Sequence, residues 1–147
     1  MSKYAIVRAT FYEDLAQRLT DGAFKGFEEA GIEGSDIDVF DVPGAFELPL
    51  AAKACADSGR YAGVACLGAV IRGETDHYDW VCSAAAHGIE LVQVQTGIPC
   101  AFGVLTVENM DQALARSGGD KRDQGYNAAK VVVQMSRLVA DLGAPKP

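Results

Sequence analysis

The chain has 147 residues, 49% hydrophobic and 22% charged, the mix of an ordinary folded protein rather than a disordered one. This length fits one domain, residues 1–147, able to bury roughly two-thirds of the surface its unfolded form exposes. A formal charge of −7 and a pI near 4.7 set a field that repels nucleic acid and anionic membranes, so any anionic ligand must be held by a local device.

The segment YAIVRA reads as a short buried strand, and Asp14 to Ala30 as an amphipathic helix with Leu15, Leu19, Ala23, Phe24 and Phe27 on one face and Gly31 as its stop. IDVFDV is a second strand closed by Pro43 and Gly44, and Phe46 to Ser58 a helix that tolerates Pro49 because it falls in the first turn. GVACLGAVI is a continuous apolar run, as expected for a strand covered on both faces. His77 to about Gln95 is a long helix, PCAFGVLTV a fourth strand, and Met110 to Arg116 a short helix. Gly118 to Gly125 is a polar loop and Tyr126 to Leu142 a last helix, and the GAPKP tail stands outside the folded part. Strands alternate with helices throughout, which predicts an α/β fold with a parallel sheet, right-handed crossovers and helices on both faces.

No run approaches the ~20 apolar residues a spanning helix needs, and YAIV is too short for a signal-peptide core, so a cytoplasmic protein is expected. Cys55, Cys66, Cys82 and Cys100 each lie in an apolar stretch with no CxxC pair and read as small buried hydrophobes. A zinc site would want more histidines than the two present.

Ligands of open parallel sheets bind beyond the carboxyl ends of the strands. Four segments are expected to meet there: Thr10 to Tyr12, Gly44 to Glu47, Arg72 to His77, and Thr106 to Asn109. In GETDHYDW, Asp76 reads as an N-cap, with Asp79 completing a box-like arrangement. His77 in the first turn is either a proton-transfer group, kept neutral by the positive end of the helix, or a surface residue at a helix start. Gly73 and the backbone N–H groups of Glu74 and Thr75 make a ready anion site. Glu47 is either an acceptor for a polyhydroxylated ligand beside a flat Phe46 wall or a carboxylate satisfying a helix dipole. Phe11 is equally a stacking platform or core, Phe102 by default core, and Arg116 by default a favourable charge at a helix C-terminus. Seven residues of helix would carry Arg116 roughly 10 Å back from the strand ends, so an anion held by it belongs to a neighbouring subunit's site. In the helix from His77, small and apolar residues from Val81 to Val94 cover most of the circumference; it packs either against other subunits or at the centre of a monomer.

Taken together, VPGAFELPLAAK, LGAVIRGETDHYDWV, TGIPCAFGVLTVEN and QALARSGG resemble the lumazine synthase family of riboflavin biosynthesis, from about Ile6 to Leu138. GAFE and IRGxTxHYD are short singly and specific jointly. The resemblance implies a three-layer, flavodoxin-like four-stranded parallel sheet, and homo-pentamers with the third helices around a central channel and each site between two subunits. It implies condensation of 5-amino-6-(D-ribitylamino)uracil with 3,4-dihydroxy-2-butanone 4-phosphate to 6,7-dimethyl-8-ribityllumazine, phosphate and water, with no cofactor and no metal. Matched residue by residue, Phe11 would stack on the pyrimidine, and the backbone of Val70, Ile71 and Arg72 would read its edge. Ala45, Phe46 and Glu47 would border the ribityl chain. Gly73, Glu74 and Thr75 would donate N–H groups to phosphate, and His77 would move protons. Phe102 and Arg116 would come from the adjacent subunit. Gln124 and Asp120 stand where the family usually has lysines, with Lys121 or Arg122 as substitutes, and Tyr12 replaces a frequent asparagine. The chain starts almost at its first strand, so a pentamer is expected over a sixty-subunit shell. The alternative is a catalytically weak paralogue that binds a flavin or lumazine; a generic flavodoxin-like regulatory domain would bind neither.

Overall fold

Four apolar runs form one all-parallel sheet in the computed structural model, which describes residues 2–118 and 122–143. They are β1 (Tyr4–Ala9), β2 (Ile37–Val42), β3 (Gly63–Ile71) and β4 (Cys100–Val107), in the spatial order β2-β1-β3-β4. The helices are α1 (Glu13–Glu29), α2 (Leu48–Asp57), α3 (His77–Thr96), α4 (Met110–Ala115) and α5 (Gln124–Gly143), with short 3-10 turns at Gly34–Asp36 and Ala45–Glu47. The alternation of elements predicted the parallel α/β sheet, and this is the three-layer, flavodoxin-like form of it that the family resemblance implied.

The central strands explain why their runs are apolar without interruption. On β1, Tyr4 and Ile6 enter the core beneath α1 and α5, whereas Ala5, Val7 and Ala9 enter the one beneath α2 and α3. On β3, Ala65 and Leu67 face the first core and Val64 and Cys66 the second. Side chains alternate with a period of two, so a strand buried on both faces shows no polar half. Burying one large side chain such as Leu19 or Phe27, both fully covered, contributes about 1.5–3 kcal/mol.

The two faces are covered differently. Helices α1 and α5 approach at backbone distance: a Cβ on Gly125 would stand 1.9 Å from the Leu19 carbonyl oxygen, and one on Gly22 would strike the Asp123 carboxylate. Asp123 needs that place, because its Oδ1 accepts the Tyr126 N–H at 3.0 Å and so caps α5. The loop expected to run to Gly125 therefore ends two residues earlier, and a glycine that reads as a turn former lies inside a helix as a packing contact. On the other face, the start expected at Phe46 is divided: Ala45–Glu47 is a 3-10 turn and α2 begins at Leu48, with Pro49 in its first turn.

Helix α3 buries only Ala85, Ile89 and Val92 against its own chain. Leu91 and Val94 are exposed at 55% and 69%, so the central-helix alternative does not describe it within this chain. Cys55, Cys66 and Cys100 are buried and Cys82 half-buried. Among the described residues, no helix is long and apolar enough to cross a membrane. Asp120, Lys121 and the end of the GAPKP tail lie outside the described residues.

Candidate active site

The order in which strands are added across the sheet reverses between β1 and β3: from β1 the chain crosses to β2 on one side, then to β3 and β4 on the other. Loops leaving such neighbouring strands diverge and leave a crevice at their carboxyl ends. A cavity of about 640 Å³ occupies that position, within the range of small-molecule sites.

Three strand ends build it. Phe11 and Tyr12 follow β1, Gly44 to Glu47 follow β2, and Ala69, Val70 and Ile71 close β3, continued by Gly73, Thr75 and the first turn of α3. The fourth segment does not reach the lining. Glu108 is instead drawn to Arg72, whose Nε lies 2.9 Å from Glu108 Oε2 and whose Nη2 lies 3.6 Å from Asp79 Oδ1. The Arg72 guanidinium also sits 4.3 Å from the centre of the Tyr78 ring. Burial, with a hydrogen bond to Cys82 next in weight, pushes the Tyr78 hydroxyl above its ordinary range.

Aromatic rings dominate the mouth. Phe11 is 75% exposed, Phe46 62% and Trp80 74%. Phe11 meets Tyr12 edge-on at 4.9 Å between ring centres, which leaves its exposed surface available to a flat ligand. A carboxylate also lines the cavity: Glu47 turns back toward Gly44, where a Cβ would stand 3.3 Å from its Oε1, while its N–H donates to the Gly44 carbonyl. The lining thus offers both a stacking plane and a hydrogen-bond acceptor.

His77 is the first residue of α3 and lines the same cavity. The cap before it differs from expectation. Asp76 occupies the N-cap position but has helical dihedral angles (φ −71°, ψ −1°) and makes no side-chain cap; an N-cap side chain reaches back over the turn from an extended backbone. The Thr75 hydroxyl accepts the His77 N–H instead, at 3.3 Å, and Asp79 is turned to Arg72. Thr75 therefore fixes the start of the helix on which the imidazole stands.

Of the residues singled out in the sequence, Phe11, Ala45, Phe46, Glu47, Val70, Ile71, Gly73, Thr75 and His77 are brought together at the cavity. Arg72 and Glu74 are exposed beside it without lining it. Phe102 is not the core residue its strand position suggested: it is 36% exposed on the edge strand β4. Arg116 ends α4 away from the cavity, with Nη1 donating to its own Gln112 carbonyl at 3.1 Å. Gln124 Nε2 donates to the Phe102 carbonyl at 3.3 Å. Ala69, Tyr78, Trp80 and Val81 also line the cavity and were missed. For Trp80 and Val81 the signal was available, because positions three and four beyond His77 share its helix face; Tyr78, one position on, carries no such signal. Among the described residues, no three His, Cys, Asp or Glu side chains are grouped to hold a metal ion.

The chain matches the family model described as 6,7-dimethyl-8-ribityllumazine synthase over residues 1–140, a span that contains every segment of the cavity. The chain accordingly belongs to the 6,7-dimethyl-8-ribityllumazine synthase family, with a lumazine synthase-type function in riboflavin biosynthesis.

Proposed function

We propose that this protein is a cytoplasmic transferase, one domain per chain, acting as a pentamer. It condenses 5-amino-6-(D-ribitylamino)uracil with 3,4-dihydroxy-2-butanone 4-phosphate into 6,7-dimethyl-8-ribityllumazine, releasing phosphate and water. The observation that carries this reading is one cavity at the switch point with an exposed Phe11 ring, the Glu47 carboxylate and the His77 imidazole around it.

The chemistry asks little of the protein. The aromatic amine adds to the ketone and loses water to form an imine; a proton shift gives an enol that expels phosphate and tautomerises to a new carbonyl from the former hydroxyl carbon; the ribitylamino nitrogen adds to that carbonyl and loses a second water, which closes the ring. Holding two molecules in register supplies much of the acceleration. One imidazole suffices to take and return the protons. Phe11 stacks on the pyrimidine, whose edge meets the backbone of Val70, Ile71 and Arg72. Ala45, Phe46 and Glu47 hold the ribityl chain, and the N–H groups of Gly73, Glu74 and Thr75 face the phosphate. Arg116 and Phe102 reach the site of the adjacent subunit, which accords with their position outside the cavity of their own chain. A charge-assisted arginine contact is the local device that a chain of net charge −7 needs to hold a phosphorylated substrate.

Purified protein given both substrates is expected to form the fluorescent lumazine and to release one phosphate per product; no product above the uncatalysed background overturns the reading. Because the condensation proceeds spontaneously, His77→Ala is expected to slow turnover by about 100-fold, the low end for general acid–base catalysis, without abolishing it. Arg116→Ala should mainly raise the KM of the butanone phosphate. A second reading, a flavin or lumazine carrier, draws on Gln124, whose side-chain amide is committed to a main-chain carbonyl. Tight retention of such a ligand through purification without turnover would select it.

A further inference from the structure

The six-residue helix α4 is too short to hold its own place, and both of its ends are tied by side chains. At the start, Asn109 Oδ1 accepts the Gln112 N–H at 2.9 Å, while Gln112 Oε1 accepts the Glu108 N–H at 2.8 Å. At the end, the ties come from a different helix. Arg18 of α1 donates from Nε to Ser117 Oγ at 2.9 Å and from Nη2 to the Leu114 carbonyl at 3.0 Å and the Gly118 carbonyl at 3.3 Å. One guanidinium therefore binds the chain on both sides of Arg116. The last carbonyls of a helix lack partners within it, and a planar, permanently charged fork of donors satisfies several at once. Ser117, 1% exposed, is a rare buried polar side chain here, and Arg18 is one of its partners.

The loop beyond is closed on the same point. Gln124 N donates to the Arg116 carbonyl at 2.9 Å and Gly118 N to the Arg122 carbonyl at 3.0 Å, with an antiparallel bridge between Ser117 and Asp123. The backbone of Arg116 is thus set by α1, by the start of α5 and by its own helix together.

We propose that Arg18 is a positioning residue for the phosphorylated substrate: it fixes the backbone that aims Arg116 at the neighbouring subunit's site. This rests on the reading of Arg116 given above. Arg18 touches no substrate and acts only through the segment it holds, so its removal should weaken binding of one substrate and leave the other alone. The test is steady-state kinetics of the wild type, Arg116→Ala, Arg18→Met, Arg18→Lys and Ser117→Ala, varying each substrate in turn. Arg18→Met keeps the aliphatic stem and should raise the KM of the butanone phosphate about tenfold, with the KM of the ribitylaminouracil and kcat within about twofold of wild type. Arg18→Lys, with one nitrogen for three acceptors, should fall between, and Ser117→Ala should move the same KM by a smaller factor. Equal increases in both KM values, or a fall in kcat alone, would mark Arg18 as merely structural and overturn the proposal. So would an unchanged butanone phosphate KM in a folded Arg18→Met. If Arg18→Met does not fold, Ser117→Ala decides by the same criterion. A wild type that turns over, with Arg116→Ala impaired and Arg18→Met not, removes the role of Arg18 and leaves the function standing. A wild type that makes no lumazine removes both.

Discussion

At the scale of single residues, the buried thiols couple the fold to pH. Burial lifts Cys100 to about 12 and holds Cys66 well above the usual thiol range, whereas a thiol in the unfolded chain ionises near 8.5–9. Between those values the folded chain keeps protons that the unfolded chain has lost. The stability tied to these groups is therefore intact below about pH 8.5 and falls as pH rises toward 12, by up to about 1.4 kcal/mol per pH unit for each thiol. Denaturant midpoints measured from pH 7 to pH 11 should be level at first and then decline steeply. In Cys66→Ala/Cys100→Ala the alkaline decline should be shallower, and an identical slope would refute the assignment. Their apolar surroundings predict burial for all four cysteines; Cys55, Cys66 and Cys100 are buried, and Cys82 departs from the expectation, being only half-buried on α3. The capping role of Asp76 was misread because residue type gives the preference for a cap, while the dihedral angles that realise it are set by the turn from Gly73 to Asp76.

At the scale of elements, the most consequential contact is the approach of α1 to α5. Gly125→Ala would place a methyl group 1.9 Å from the Leu19 carbonyl oxygen, and a backbone atom cannot turn aside as a flexible side chain can. The two helices must separate and with them the Asp123 cap. The variant should lose about 3 kcal/mol, a fall in Tm of roughly 10 °C. Gly22→Ala meets a carboxylate instead and should cost less, because Asp123 can rotate away at the expense of its bond to Tyr126 N–H. Calorimetry of both variants checks the order, and equal losses would mean that loss of the cap alone sets the cost. This pair also shows where the sequence stopped being legible. The four strands were readable because each is an apolar run between breakers, a property of the run itself. The start of α5 was not: Gly125 is a breaker by local preference and an interior helical residue by virtue of Leu19, more than a hundred positions away. The division at Ala45–Glu47 was hidden likewise, since a 3-10 turn and the first turn of an α-helix place side chains similarly.

At the scale of the whole molecule, the cavity and the residues outside it have to be reconciled. Every lining residue comes from the ends of β1, β2 and β3 or from the start of α3; Arg116 and the edge residue Phe102 stand apart, and α3 leaves Leu91 and Val94 uncovered. Motifs made these residues legible as candidates, and the length of the helix before it already set Arg116 away from its own strand ends; the fold adds that Phe102 too lies outside the cavity of its own chain. The proposed ring of chains would account for all three, with the exposed side of α3 packed on a neighbour and each cavity supplied with its arginine by the next chain. Such a ring predicts complementation. Neither His77→Ala nor Arg116→Ala retains an intact site alone. When the two are unfolded together in equal amounts and reassembled, a site at a given interface is intact only if one chain supplies the imidazole and its neighbour the guanidinium. Random assortment around a closed ring makes about one site in four intact. With the butanone phosphate held well below its KM, where the Arg116→Ala defect is expressed, activity of the mixture should therefore rise above either parent toward about a quarter of the wild-type value, and the reassembled species should sediment as a pentamer. A chain that completes its own site would give the average of the two parents and nothing more. The difference between a quarter and that average separates a shared site from a private one without requiring any variant to be fully inactive.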